Sequence, residues 1–188
     1  MHDATTRRDY PFLDLLEDHA EALRDEALAV PLSAWSPMHG YQSGCFGYVL
    51  EPGRWSGDFP GVDFAAHRAA CPLAAALISR VPGVELGGFL RMEPGGTMLP
   101  HTDPRDDRLV RVHLGLQLPE EERAWWVPGT ARLMDTRQTH WARNPGTYSR
   151  VTMVLDVRMP FVVPDNAWGP WRPDDPNVPR PPLGSPAR

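Results

Sequence analysis

The chain has 188 residues, 41% of them hydrophobic and 23% charged, with a formal net charge of -5. That length suits one domain with a core of its own, and the acidic balance argues against nucleic acid as a partner, which a basic stripe would serve. Cys45 and Cys71 have no metal-like spacing and no apolar run reaches membrane-spanning length, so no disulfide framework and no membrane partner are expected, and a cytoplasmic location is.

In chain order, Leu13, Leu16, Ala20, Leu23 and Ala27 recur at helical spacing between Pro11 and Pro31, which predicts one amphipathic helix over 11–30. Residues 33–62 are rich in Gly, Ser, Pro and aromatics and predict irregular chain with one short strand at "CFGYVL". A second helix is expected within "AACPLAAALISR" (69–80). From residue 84 short alternating runs are punctuated by "PGG", "LPEEE", "VPG" and "NPG", the rhythm of an all-β sandwich or barrel. Trp125 and Trp126 are adjacent, so on a strand only one faces inward, as core. The tail after Val163 holds eight of the 22 prolines and almost no aliphatics. It is expected to be extended or disordered, held through Trp168 and Trp171. The expected organisation is one domain over 1–163, with its β core over 84–160, and a proline-rich tail over 164–188.

Within the β region, "RLVRVHLGLQL" puts Val110, Val112, Leu114, Leu116 and Leu118 on one side and Arg111 and His113 together on the other. "SRVTMVLDVR" divides the same way, with Val151, Met153, Leu155 and Val157 opposite Arg150, Thr152, Val154, Asp156 and Arg158. For one amphipathic strand, a solvated polar face is the plainer reading. Two strands with apolar backs and cationic fronts suit a barrel with a polar ligand cavity, and buried cations there need anions.

His101 and Asp103 lie two apart, so in extended chain both side chains project to one side, and His140 arrives on a later strand, "ARLMDTRQTH". Two imidazoles and a carboxylate make a facial triad that leaves open positions on an octahedral ion and suits non-haem Fe(II). With 7 histidines and 24 acids, about one His-x-acid pair arises by chance in such a chain. A second one, His19-Ala20-Glu21, falls within the amphipathic helix, where residues two apart do not face each other. The ordered set carries more weight: His-x-Asp, then Arg-x-His, a distal His140, and Arg150 on the next strand.

Taken together, "CPLAAAL", "MEPGGTMLPHTDP", "LVRVHLGLQLP", "WVPGTARLMDTRQTH" and "SRVTMVLDVRMP" resemble the aspartyl/asparaginyl β-hydroxylase family of Fe(II)/2-oxoglutarate-dependent dioxygenases over residues 70–160. The resemblance implies a mainly β fold, a double-stranded β-helix (a cupin-like jelly roll) with flanking N-terminal helices. It implies that His101 and His140, with Asp103, hold Fe(II). Arg150, helped by the Thr152 hydroxyl, would take the distal carboxylate of 2-oxoglutarate, and His113 the carboxylate nearer the metal. Arg111 would lean toward a substrate carboxylate. Some animal members have glycine at the position of Asp103; related halogenases lack this carboxylate to admit halide, so its presence implies hydroxylation by O2. Animal members also carry a membrane anchor and helical repeats, and the aromatic-His pair before the family's final proline is Arg158-Met159 here. The expected substrate is an amino-acid-type molecule, free, peptidyl or carrier-bound, with a free proline-type amino acid as one alternative. A non-catalytic module binding metal or dicarboxylate, and a zinc or manganese cupin without oxygen chemistry, are the other readings.

Overall fold

The computed structural model describes residues 8–38, 40, 42–103 and 106–163. The tail expected over 164–188 lies outside the described residues. The first amphipathic stretch forms two helices, α1 (Phe12–Glu17) and α2 (Ala20–Ala29), where a single one was expected. The break has a local cause. His19 Nδ1 takes the Leu15 carbonyl at 2.9 Å, the acceptor that its own backbone N–H would use, and that N–H turns to Leu16 instead. The apolar stripe survives the break, with Leu13, Leu16, Ala20, Leu23 and Ala27 all buried.

The run over 33–62 is more regular than its composition suggests. It contains β1 (Ser36–Pro37) and a ten-residue strand, β2 (Gln42–Glu51), which turns Tyr48 and Leu50 into the core. Helix α3 (Phe64–Ala70) begins at Asp63, whose carboxylate accepts from the Ala66 N–H at 3.0 Å, an N-cap that aliphatic periodicity alone does not reveal. Helix α4 (Pro72–Arg80) follows with proline in its first turn.

Strand β3 (Val84–His101) is long and bends at "EPGG", where Gly95 has φ +76. Asn144 pins the bend, donating its amide to the carbonyls of Met92 and Tyr148. The remaining strands are β4 (Leu109–Gln117), β5 (Ala131–Met134), β6 (His140–Arg143) and β7 (Arg150–Arg158), with a short helix α5 (Glu120–Arg123) after β4. "ARLMDTRQTH" is therefore two strands around a turn, and His140 opens the second one. Trp125 and Trp126 follow α5 and are not on a strand; Trp126 is the buried one.

All pairings are antiparallel. The main sheet runs β1-β2-β3-β7-β4-β5, while the far half of β3 folds over to pair with β6. One strand thus serves both layers, and the fold is a mainly β double-stranded β-helix with flanking N-terminal helices. The sheet reaches back to residue 36, beyond the 84–160 expected for the β core. Helices α1, α2 and α4 cover the outer face, where Val110, Val112, Leu114, Val151, Met153 and Leu155 form the core with Leu23 and Leu77. The inner face is left to the cavity. No helix among the described residues is long and apolar enough to cross a membrane.

The helical layer is tied together by Glu26 of α2, whose carboxylate accepts from the Leu73 and Ala74 N–H groups at 2.8 Å each, capping α4. Glu26→Ala is expected to cost about 1–2 kcal/mol, seen as a lower Tm in thermal unfolding; an unchanged Tm would mean the cap contributes nothing.

Candidate metal centre

The site starts from a register. His101, the last residue of β3, stands opposite His140, the first of β6, in the antiparallel ladder. Their rings lie 4.1 Å apart between centroids, tilted by 54°. Each Nδ1 meets a backbone carbonyl two residues back: Leu99 at 2.8 Å for His101 and Gln138 at 3.0 Å for His140. A carbonyl can only accept, so each Nδ1 carries the proton and each Nε2 keeps its lone pair. The Nε2 of His140 is buried with no hydrogen-bond partner among the described residues. Asp103 follows β3, its N–H bonded to the Thr136 carbonyl at 2.8 Å, and brings Oδ1 to 3.9 Å from His101 Nε2. One ligand atom from each of the three lies within 4.8 Å of the others. A donor set of two imidazole nitrogens and one carboxylate oxygen, with one orphaned buried lone pair, fits a divalent transition metal and leaves positions open for exogenous ligands.

Behind Asp103 sits Arg111. On the β4–β7 ladder it stands opposite Asp156, and its Nε and one terminal nitrogen fork onto that carboxylate at 2.8 and 3.0 Å. Its other terminal nitrogen donates to Asp103 Oδ2 at 2.8 Å. Asp156 is fully buried, so this pair has little solvent screening and close hydrogen-bond geometry. Arg111, for which a substrate-facing role was expected, is held by two carboxylates of the protein, one of them Asp103, while still lining the cavity.

His113 lies two residues on, buried, with neither ring nitrogen bonded among the described residues. Burial, then the charges of Arg111 and Arg150, hold its pKa well below the usual imidazole value. Burial likewise pushes the His140 pKa down to about 4, against its bond to Gln138. Both rings are therefore neutral at pH 7.

Arg150 opens β7 and is 2% exposed. Its Nε sits between both oxygens of Glu122 at 3.0 and 2.9 Å, and its guanidinium lies 5.3 Å from the Trp126 ring centroid. Trp126 can approach because Gly115 faces it; a Cβ there would meet the indole at 3.0 Å. Thr152, two residues after Arg150, is fully buried and its hydroxyl has no partner among the described residues. Glu122 is the supporting group that reading the sequence did not single out, whereas Asp156 reads there as a structural hydrogen-bonding residue and one of Trp125 and Trp126 as core. For Asp156 a signal existed: it is an acid on the same strand face as Arg150 and Thr152.

His101, Asp103, Arg111, His113, His140 and Arg150 all line one cavity of about 900 Å³. Asp156→Asn keeps the side chain's shape and removes its charge. It is expected to weaken Co(II) or Fe(II) binding by about 10–100-fold, measured by anaerobic metal titration; unchanged affinity would show that Asp103 needs no support. The metal-free protein should also lose stability as pH falls from 6.5 toward 4. The unfolded chain takes up protons there that folded His113 and His140 do not, so stability is present above the unfolded pKa and lost below it. A urea midpoint that stays flat across that window would contradict two buried neutral rings.

The profile of the family described as aspartyl/asparaginyl beta-hydroxylase matches residues 17–160. The chain is 29% identical over 114 residues to the ornithine lipid ester-linked acyl 2-hydroxylase of Rhizobium tropici, a match covering 55% of this chain and 40% of the length of that relative. Among solved structures it is similar to a prolyl-4-hydroxylase from Pseudomonas putida (TM-score 0.41, 15% identity, 76% of this chain and 87% of that one). It is also similar to a Trichoplax adhaerens prolyl hydroxylase in complex with a peptide fragment of the hypoxia inducible factor oxygen degradation domain (TM-score 0.44, 12% identity, 85% and 94%). The breadth of the family match, from α1 to the residues that close β7, decides the assignment: this chain belongs to the aspartyl/asparaginyl β-hydroxylase family.

Proposed function

We propose that the protein is an Fe(II)/2-oxoglutarate-dependent dioxygenase that hydroxylates an amino-acid-type substrate. The observation that carries this reading is the convergence of two pre-set Nε2 lone pairs and one clamped carboxylate on a cavity that also holds Arg150 and His113. His101, Asp103 and His140 would hold the iron. The chemistry that iron and 2-oxoglutarate supply when bound is oxidation of a C–H bond to C–OH by O2: one oxygen atom ends in the alcohol, the other in succinate, and CO2 is lost.

The protein's own residues would bind and orient. Arg150 suits the distal carboxylate of 2-oxoglutarate, because among the described residues only its Nε is hydrogen-bonded, by Glu122, and the terminal nitrogens of the fork are the donors a second carboxylate would meet. Glu122 and Trp126 keep that fork from swinging. The Thr152 hydroxyl, buried and without a partner, is a further donor on the same strand face. Neutral His113 can offer one N–H to the carboxylate nearer the metal, and a bound dianion would raise its pKa back toward the ordinary range. Arg111 would hold Asp103 as a one-sided ligand, its second oxygen kept from the metal by a 2.8 Å hydrogen bond.

Mixing the iron-loaded protein with 2-oxoglutarate under air should yield succinate, and a screened substrate should raise the rate and gain the mass of one oxygen. No succinate under any substrate would leave a metal- or dicarboxylate-binding module. Arg150→Lys is expected to weaken 2-oxoglutarate binding by about 1.5–3 kcal/mol, read as a rise in its KM. An unchanged KM would remove Arg150 from this role.

A further inference from the structure

The cavity has two unlike halves. The metal ligands, His113 and Arg150 occupy one; the other is made by the inner faces of β2 and β3 and the chain over 58–62, with Val49, Leu86, Leu90, Phe59 and Val62 on its walls. The ionisable side chain on that half, among the described lining residues, is Asp58 at the exposed rim, the wrong sign for a carboxylate. Of the two cations that line the cavity, Arg111 is held by Asp156 and Asp103, and Arg150, whose Nε meets Glu122, has its terminal nitrogens assigned to the co-substrate. An acidic substrate side chain reaching into the apolar half would be desolvated with no cation to receive it.

Three glycines line this region, and they differ. A Cβ at Gly88 would strike the Tyr48 carbonyl at 2.3 Å, and one at Gly87 would press on Leu155 and Ile78. Those two are glycine because the fold is tight. Gly47 stands opposite Leu90 on β3, and a Cβ there would meet nothing within 4 Å. Nothing in the packing asks for glycine at Gly47; what its missing side chain leaves is room in the cavity.

We infer that the substrate presents an uncharged aliphatic chain to the metal centre, lodged against β2 and β3, and that Gly47 sets how long that chain can be. This rests on the hydroxylase reading for what happens to the chain, but the seat for it is a property of the cavity alone. A volume of about 900 Å³ lies at the upper end of small-molecule pockets and leaves space for a chain beside a small dicarboxylate. The same chemistry could come from a branched amino acid or from an acyl conjugate of one.

The test is a binding series, free leucine and butanoyl-, octanoyl- and dodecanoyl-glycine, with aspartylglycine as the acidic control. Each is titrated by calorimetry into anaerobic protein with and without Fe(II) and 2-oxoglutarate. Affinity should rise with chain length, by at most about fourfold per methylene, and aspartylglycine should bind more weakly than octanoylglycine. Leucine binding as tightly as octanoylglycine would assign the seat to a short side chain; a rise continuing to dodecanoyl would assign it to an acyl chain. Gly47→Phe, favoured by strand propensity, should abolish the gain beyond butanoyl while leaving 2-oxoglutarate affinity unchanged. Val49→Thr, equal in volume and more polar, should blunt the gain if the phenylalanine variant fails to fold. A flat series, tighter binding of aspartylglycine, or an unaltered gain in the folded variants would overturn the inference. Chain-length dependence without succinate formation under air would leave this seat standing and defeat the hydroxylase reading; turnover of acidic peptides alone would do the reverse.

Discussion

An imidazole can ligate a metal only through a nitrogen that has no proton, and in this protein two backbone carbonyls decide which nitrogen that is. Leu99 and Gln138 each accept from an Nδ1, so the lone pairs of His101 and His140 are assigned before any ion arrives. Because the two residues face each other across the β3–β6 ladder, the same backbone hydrogen bonds that close the fold also set the spacing of the ligands. Burial keeps His140 neutral, so protons compete weakly with a metal for that site.

Charge on the inner face is handled in the same economical way. Each arginine that reaches the cavity is met by a carboxylate of the protein, Asp156 for Arg111 and Glu122 for Arg150. Breaking one such pair leaves its partner buried alone, which costs more than the pair contributes. The result is a stiff polar half. The apolar half across from it carries shape but little charge, so what enters there is sorted by size and dryness.

Much of this was legible in the sequence, and the omissions share a cause. Strict alternation in β4 and β7 told which side chains share a face, and the structure puts the even residues of β4 and the odd ones of β7 into the core. His101, Asp103 and His140 were readable because their residue types are rare together in that order. Glu122 was not, since it closes a run of three glutamates in "LPEEER", and only the fold turns that one toward Arg150, which is 28 residues away. Asp103 and Asp156 were both legible, but not their pairing with Arg111: a cation on a strand face looks the same whether it awaits a ligand or already has a partner. The strand expected at "CFGYVL" is there, but its extension to 42–51 depends on pairing with β3, and the helix break at His19 on a side chain taking a backbone acceptor, neither of which leaves a periodic trace.

The turn between β5 and β6 is knotted by Asp135, whose carboxylate accepts from the Arg137 backbone N–H and guanidinium while its carbonyl accepts from Gln138. Side chains on a strand alternate, so a one-residue slip of β6 against β3, which this turn resists, would carry His140 to the opposite side of its strand. The centre is thus subject to a parity rule of register: any odd slip of β6 would turn its imidazole away from His101 and Asp103 while leaving every residue of the cluster in the chain.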